Sequence, residues 1–223
     1  VMFWLAYMAL EPYVRRHWPQ TMVSWSRVLA GKLGDPVVGS DVLIGVNFAL
    51  IWTLLFQVSS LVFERLGAPP MLISLQSLLG ARYIVANLLG NLSASTGMAL
   101  FAFFSVFLLR VLVRNEWLAA ALLILFFSVF RGIQSDFPLV TGGLYVVVFA
   151  LYAVFLLRFG LVPLIVAALV VDFLINFPIT TNLGAWYIEP ALFALLVVVA
   201  IAAYGFRTAL AGRPLLRDDL LHR

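Results

Sequence analysis

The sequence predicts an all-α membrane protein, a polytopic transmembrane helix bundle with about six full spans. Hydrophobic residues make up 64% of its 223 residues and charged residues only 11%, and the mean hydropathy is +1.10. A globular chain of this length could not hide so much apolar surface from water. The hydrophobic runs also lack the ten-residue alternation of an outer-membrane barrel, which favours helices. Lipid is therefore the expected solvent for most of the chain.

The predicted spans follow from the lengths of the hydrophobic runs, because about 20 apolar residues cross a hydrocarbon core about 30 Å thick. Two runs are short enough that buried or re-entrant helices compete with true spans: Trp117 to Phe130 and Leu161 to Ile175. Val1 to Leu10 is expected to be the end of a truncated first span. Four runs have full length: Val42 to Phe63, Ala94 to Val113, Leu139 to Leu157 and Ile188 to Phe206.

Residues 71–90 are predicted to form an interfacial or re-entrant helix and not a span. Polar residues such as Arg82 and Asn87 interrupt this run, and the breaker Gly67-Ala68-Pro69-Pro70 precedes it. Whether the segment crosses decides the topology of every later helix. The distribution of basic residues tests the two alternatives.

Short cytoplasmic loops carry an excess of Lys and Arg. If residues 71–90 do not cross, three basic residues, Arg65, Arg82 and Arg131, lie outside and eleven lie on the cytoplasmic side. If they cross, five lie inside and eight outside, and Arg82 falls within the bilayer. The first arrangement is favoured and predicts a cytoplasmic C-terminus. Its eleven cytoplasmic residues are Arg15, Arg16, Arg27, Lys32, Arg110, Arg114, Arg158, Arg207, Arg213, Arg217 and Arg223.

Four regions follow from this topology: 1–10, the end of the truncated helix; 11–41, a cytoplasmic interfacial basic segment; 42–208, the helix bundle; and 209–223, a cytoplasmic tail. The basic segment mixes apolar and basic side chains as a helix in a headgroup layer does. It is predicted to contact anionic headgroups, or to dock a soluble domain. Its candidate surface residues are Arg15, Arg16, Trp18, Trp25, Arg27 and Lys32.

Polar groups at membrane depth are candidate functional residues, because burying them in lipid is costly. Asp172 and Asn176 lie one helical turn apart, so they can share a face and a hydrogen bond. One hypothesis is a carboxylate that binds a proton or cation; the other is a group near the outer interface satisfied by Asn176 or a helix end. Asn47 and Gln57 are expected to form separate interhelical hydrogen bonds.

No catalytic, cofactor-binding or metal-binding residue is predicted. The chain lacks the phosphate-binding loop, the zinc-protease motif, the nucleophile elbow and the kinase motifs. It has no cysteine, and both histidines, His17 and His222, lie outside the spans, which excludes haem held by paired histidines within the bundle. The net charge of +4 reflects arginines that set topology, so no nucleic-acid partner is expected.

Several polar phrases resemble the C-terminal multi-pass membrane region of a family of bacterial serine/threonine protein kinases. They are A-L-E-P-Y-V-R-R-H-W-P at 9–19, S-W-S-R-V-L-A-G-K-L-G-D-P-V-V-G-S-D-V-L-I-G at 24–45, R-N-E-W-L-A-A-A at 114–121, F-P-I-T-T-N at 177–182, A-W-Y at 185–187 and A-A-Y-G-F-R-T-A-L-A-G-R-P-L at 202–215. The similarity covers most of the chain.

The resemblance implies a protein of the bacterial inner membrane with a cytoplasmic kinase domain before Val1. That domain would use ATP and Mg. The bundle itself would be non-catalytic and would anchor that domain, with a sensing or dimerising role. Two alternatives stay open. One is a transporter-like bundle that uses Asp172, with a kink at Pro163; the other is an accessory subunit of a respiratory or photosynthetic complex. The lipid bilayer is the expected partner in each case, with a second copy or other membrane subunits left open.

Overall fold

The computed structural model describes residues 23–68, 78–180, 182 and 184–211, and all statements about structure concern these residues. Their helices are α1 (Val23–Leu29), α2 (Pro36–Arg65), α3 (Ala81–Val113), α4 (Glu116–Ile133), α5 (Pro138–Phe159), α6 (Leu161–Asn176) and α7 (Ile188–Ala209), and the described chain contains no strand.

Five of these helices, α2, α3, α4, α5 and α7, are long and apolar enough to cross a membrane. The predicted all-α membrane bundle is therefore confirmed. The sixth expected span, α6, has 16 residues and a length of about 24 Å, which is short of a full crossing. The expected truncated span at 1–10 lies outside the described residues.

The outer surface of the bundle is apolar. At most 28% of the most hydrophobic part of each long helix is buried within the protein, and leucines such as Leu112 and Leu139 are 80% and 91% exposed. Water would not tolerate so much contiguous apolar surface on a folded monomer. The helices are thus those of a protein embedded in a lipid bilayer.

The short helix α6 lies at the centre of the bundle. Leu161, Leu164, Val170 and Phe173 are fully buried, and α6 contacts α1, α2, α3, α5 and α7. A helix that is apolar on every face is stable only when it is surrounded. This explains why the shortest of the hydrophobic helices is also the most enclosed.

The start of α2 packs tightly against the end of α7 and the start of α6. A Cβ atom added to Gly39 would lie 2.4 Å from the backbone nitrogen of Ala209, and one added to Gly45 would lie 2.6 Å from the carbonyl oxygen of Pro163. Only glycine permits this approach of two helix backbones. The contacts place α2 antiparallel to α7 and parallel to α6.

The connection between α3 and α4 is a tight turn built from two caps. Arg114 adopts a left-handed conformation with φ of 60°, and its N–H donates to the carbonyl of Arg110. The Asn115 side chain then accepts hydrogen bonds from the first amides of α4, and Glu116 pairs with Arg110 at 3.3 Å. These contacts make α3 and α4 an antiparallel hairpin.

Successive helices from α2 to α7, including the short α6, therefore run in alternating directions, and the bundle has two distinguishable ends. The ring centroids of Phe63, at the end of α2, and Phe137, at the start of α5, are 6.5 Å apart. Both residues therefore lie at the same end of the bundle, which we call the opposite end. The other end holds the start of α2 and is called the basic end. Among the described residues, the opposite end carries Arg65, Arg82 and Arg131, and the basic end carries Arg27, Lys32, Arg110, Arg114, Arg158 and Arg207.

Two helices begin earlier in the chain than the hydrophobic runs that predicted them. Residues 81–113 form one continuous helix, so the described part of the expected interfacial or re-entrant segment 71–90 is the beginning of α3; residues 71–77 lie outside the described chain. A single glycine such as Gly90 costs a helix only about 1 kcal/mol, too little to end it. α2 begins at Pro36, not Val42, because Asp35 caps it and proline suits a first helical position.

We expect Gly39→Ala to lower the thermal unfolding midpoint of the purified bundle, because the new methyl group overlaps the backbone of α7. Overpacking of this kind costs about 1–3 kcal/mol. Gly143→Ala is the matched control, since a Cβ there meets nothing within 4 Å. Equal midpoints for the two variants in detergent would contradict the close packing of α2 on α7.

Candidate functional site

A cleft of about 230 Å³ lies between α2, α3, α5 and α6. Its polar residues are Tyr152 of α5 and Asp172 and Asn176 of α6. The rest of its lining is aromatic or aliphatic: Phe48, Trp52, Met98, Ala167, Ala168, Val171 and Ile175. The two residues of α6 that the sequence singles out therefore lie in one cleft with an aromatic hydroxyl from another helix.

The position of Asp172 and Asn176 is set by their helix. They are one turn apart, and the Asn176 side-chain amide donates a hydrogen bond to Asp172 Oδ1, as the spacing predicts. Phe173 and Phe177 are almost completely buried, and their ring centroids are 5.1 Å apart. Both rings also contact Phe193 of α7. This aromatic cluster fixes the last turn of α6 and the face that carries the carboxylate.

Two buried polar atoms of the cleft have no hydrogen-bond partner within the described chain. They are the second carboxylate oxygen of Asp172, Oδ2, and the hydroxyl of Tyr152. A buried polar group left unpaired costs about 1–3 kcal/mol, and native proteins rarely leave one without a reason. An acceptor and a hydroxyl therefore lie in the lining of one cavity without bonding to each other.

Aromatic rings from α2 and α5 surround the polar residues. Trp52 lies 5.9 Å from Tyr152 and 5.9 Å from Phe48, measured between ring centroids, and Phe48 stacks on Phe155 at 3.8 Å. Met98 of α3 completes this side of the lining. Such rings present electron-rich faces, which attract cations.

The electrostatic character of the cleft is negative. None of the described residues that line it is basic, so Asp172 has no cationic neighbour there. Asp172 also lies in the last turns of α6, where the helix dipole carries partial negative charge. The arrangement is chemically suited to receive a cation or a hydrogen-bond donor.

A second cluster of polar contacts joins the chain before α2 to the bundle. The Ser24 hydroxyl donates to Asp41, Arg27 pairs with Asp35, and the Tyr204 hydroxyl of α7 donates to the carbonyl of Leu33 at 2.6 Å. We call residues 24–41, with Tyr204, the α1 junction. It ties a seven-residue helix to α2 and α7.

Asp35 is the electrostatic centre of the α1 junction. Its carboxylate accepts the backbone N–H of Val37 at 2.9 Å, and this bond, together with Arg27 and Lys32, holds the pKa of Asp35 below its ordinary value against the opposing effect of burial. The carboxylate form is therefore the one that the folded junction stabilises.

The structure distributes the predicted interfacial residues differently. Trp25 is half-buried and packs against the hydrophobic core, and Arg27 is paired with Asp35. Lys32 is exposed at the basic end. Arg15, Arg16 and Trp18 lie outside the described residues. In the described part, two of the three candidates therefore face the bundle itself.

Other polar residues at membrane depth are not part of the cleft. Asn47, expected to bond across helices, is exposed and donates to the carbonyl of Leu43 in its own helix at 2.9 Å. Gln57 is also exposed. Pro163, expected to kink a helix, lies in the first turn of α6, where a missing N–H needs no partner.

Trp52 and Tyr152 are lining residues that the sequence did not predict. Their positions in the sequence could have indicated this role. Aromatic residues with a polar tip normally anchor the ends of spans, whereas these two lie well inside α2 and α5. Among the described residues, no group of three or more His, Asp or Glu is placed to hold a metal ion.

Comparisons of the chain with protein-family models, with curated proteins and with solved structures gave no match.

We expect the α1 junction to loosen when Asp35 loses its charge or its cap. Because its pKa is lowered on folding, the carboxylate stabilises the junction above about pH 4 and stops doing so as the pH falls below that value. Asp35→Ala should increase amide hydrogen exchange in residues 24–40 at neutral pH, and Asp35→Asn, which can still cap α2, should do so less. Unchanged exchange in Asp35→Ala would contradict this role.

Proposed function

We propose that this chain is the non-catalytic membrane region of a bacterial signalling protein, and that it anchors a cytoplasmic serine/threonine kinase domain attached before Val1. The proposal rests on the resemblance of its polar phrases to that kinase family and on the α1 junction. ATP and Mg would be used by the kinase domain and not by the bundle.

The α1 junction is the observation that carries the proposal. A simple anchor needs only apolar helices, whereas here the chain that enters α2 is bonded to α2 and α7 through Asp41, Asp35 and Tyr204. Trp25 of the same segment packs on the core around α6. A domain attached before α1 would therefore be mechanically connected to the centre of the bundle.

The junction also coincides with the longest phrase of the resemblance, residues 24–45. That phrase includes the capping pair Asp35-Pro36, the partner residue Asp41, and Gly39 and Gly45, which allow the close approach of α2 to α7 and α6. Its polar and glycine residues thus have structural roles at the point where an attached domain would enter the bundle.

The proposed orientation places the basic end in the cytoplasm of a bacterial cell. Six basic residues of the described chain lie there, Arg27, Lys32, Arg110, Arg114, Arg158 and Arg207, against three at the opposite end, which agrees with the bias of cytoplasmic loops. In this topology α6, together with the segment that follows it, crosses the membrane in addition to the five long helices. The C-terminus is then cytoplasmic.

Pairing of two copies would serve a kinase function without any catalytic group in the bundle. Two domains held at one membrane surface experience a raised effective concentration, which favours phosphorylation of one copy by the other.

We expect the double variant Ser24→Ala, Asp41→Asn to change autophosphorylation of the full-length protein by about threefold or more while leaving it in the membrane fraction, because it removes the side-chain bond between α1 and α2 and leaves the apolar part of every span unchanged. Asp136→Asn, an exposed carboxylate at the opposite end, is the control. If deletion of residues 1–223 leaves both autophosphorylation and membrane retention unchanged, the anchoring proposal is wrong.

The cleft favours a second candidate function, a transporter-like bundle that uses Asp172. Carriers place carboxylates and short or broken helices near the middle of the membrane, and α6 is short and central. In this case, liposomes that contain the protein should show a proton or solute flux at least tenfold greater than liposomes with Asp172→Asn. Equal flux in the two preparations, with Glu189→Gln as the control, would exclude it.

A further inference from the structure

We infer that the cleft between α2, α3, α5 and α6 is a binding site for an organic ammonium ion with a small aromatic or aliphatic body. Asp172 supplies the opposite charge, and Trp52, Phe48 and Tyr152 supply the ring faces. The inference goes beyond anchoring, and it stands whether or not a kinase domain is attached.

Charge is the first step of the argument. Asp172 uses one carboxylate oxygen to accept from Asn176, and its other oxygen is buried without a partner in the described chain. None of the lining residues within the described chain is basic, and the end of α6 adds partial negative charge. A ligand that brings an N–H and a positive charge satisfies all three conditions.

The aromatic lining indicates what surrounds that charge. Trp52 contacts both Tyr152 and Phe48, and all three rings line the cleft that also holds the carboxylate. Cations with apolar substituents are bound in proteins by such rings. The Tyr152 hydroxyl, which has no partner in the described chain, can accept a second N–H.

The same lining argues against an inorganic cation. Hard metal ions take six or more oxygen ligands, and among the described lining residues only Tyr152, Asp172 and Asn176 carry side-chain oxygens. The remaining seven lining residues are apolar or aromatic, and they would not replace the water shell of a metal ion. An anion is disfavoured by the carboxylate.

Size and access further limit the ligand. A cavity of about 150 Å³ holds benzene, so a cleft of about 230 Å³ takes a phenyl ring with a short amine chain. Helices α2 and α3 both flank α6 but do not pack closely on each other. The cleft is therefore reached from the side of the bundle, where an amphiphilic cation dissolved in the lipid would arrive.

The test uses the 223-residue protein in nanodiscs of phosphatidylcholine, which carries no net charge and does not concentrate cations. Binding of 2-phenylethylammonium at neutral pH is measured by isothermal titration calorimetry and compared with that of 2-phenylethanol, a neutral molecule of the same size. We expect saturable binding of the ammonium ion with a Kd below about 1 mM, and binding of the alcohol at least tenfold weaker. This comparison requires no variant protein.

Three variants locate the site. Asp172→Asn keeps the shape of the side chain and should weaken ammonium binding about tenfold or more, and Trp52→Leu should weaken it roughly threefold or more. Glu189→Gln, which removes an exposed carboxylate at the start of α7, should leave the Kd within about twofold of the unmodified protein.

Three outcomes would overturn the inference: no saturable binding, equal binding of the ammonium ion and the alcohol, or a Kd unaffected by Asp172→Asn in a folded protein. Displacement of the ammonium ion by millimolar sodium at constant ionic strength would also overturn it, in favour of an inorganic cation site. Ammonium binding without any change in autophosphorylation of the full-length protein would sustain the site while counting against a sensory role in the proposed kinase.

Discussion

The architecture depends on the enclosure of one short helix. In a bilayer the hydrophobic effect does not distinguish the inside of a bundle from its outside, because lipid is as apolar as leucine. What distinguishes them here is packing around α6, whose fully buried residues Leu161, Leu164, Val170 and Phe173 touch helices on several sides. Four of the five long helices, α2, α3, α5 and α7, each cover part of this central element, and α4 packs mainly on α3 and α5.

The enclosure of α6 also explains the candidate site. A polar side chain on a lipid-facing helix can reach toward the headgroups or bond to its own backbone, as Asn47 does. A polar side chain on the inward side of a largely enclosed helix can do neither. Asp172 is consequently held between helices, where Asn176 satisfies one oxygen and the cleft receives the other.

The sequence predicts which parts of the chain form membrane helices far better than it predicts which faces of those helices pack against each other. Run lengths located α4, α5, α6 and α7 to within a few residues, and spacing alone predicted the bond between Asp172 and Asn176. The charge pattern favoured the alternation of helix directions that the structure shows. These features depend on local composition, which a linear sequence contains.

The errors and omissions concern the assembly of the helices. A membrane helix is apolar both where it meets lipid and where it meets protein, so its periodicity does not reveal an inward face. For that reason neither the central position of α6 nor the inward orientation of Trp25 could be foreseen, and Trp52 and Tyr152 gave no sign that they share a cleft. Gly90 does not separate residues 81–90 from the rest of α3, because glycine weakens a helix without stopping it once neighbouring turns are hydrogen-bonded.

The partners of α2 have a consequence for biogenesis. Helices α3, α4 and α5 form successive hairpins with neighbours in sequence, whereas α2 finds its main contacts in α6 and α7, which are synthesised only after more than ninety intervening residues. Until they emerge, the face of α2 that carries Gly39 and Gly45 remains uncovered in the membrane. Long-range closure of this kind is slow compared with hairpin formation. Completion of the bundle is thus a late, post-insertion event, and nascent chains released before α7 would expose this face of α2 to quality-control proteases.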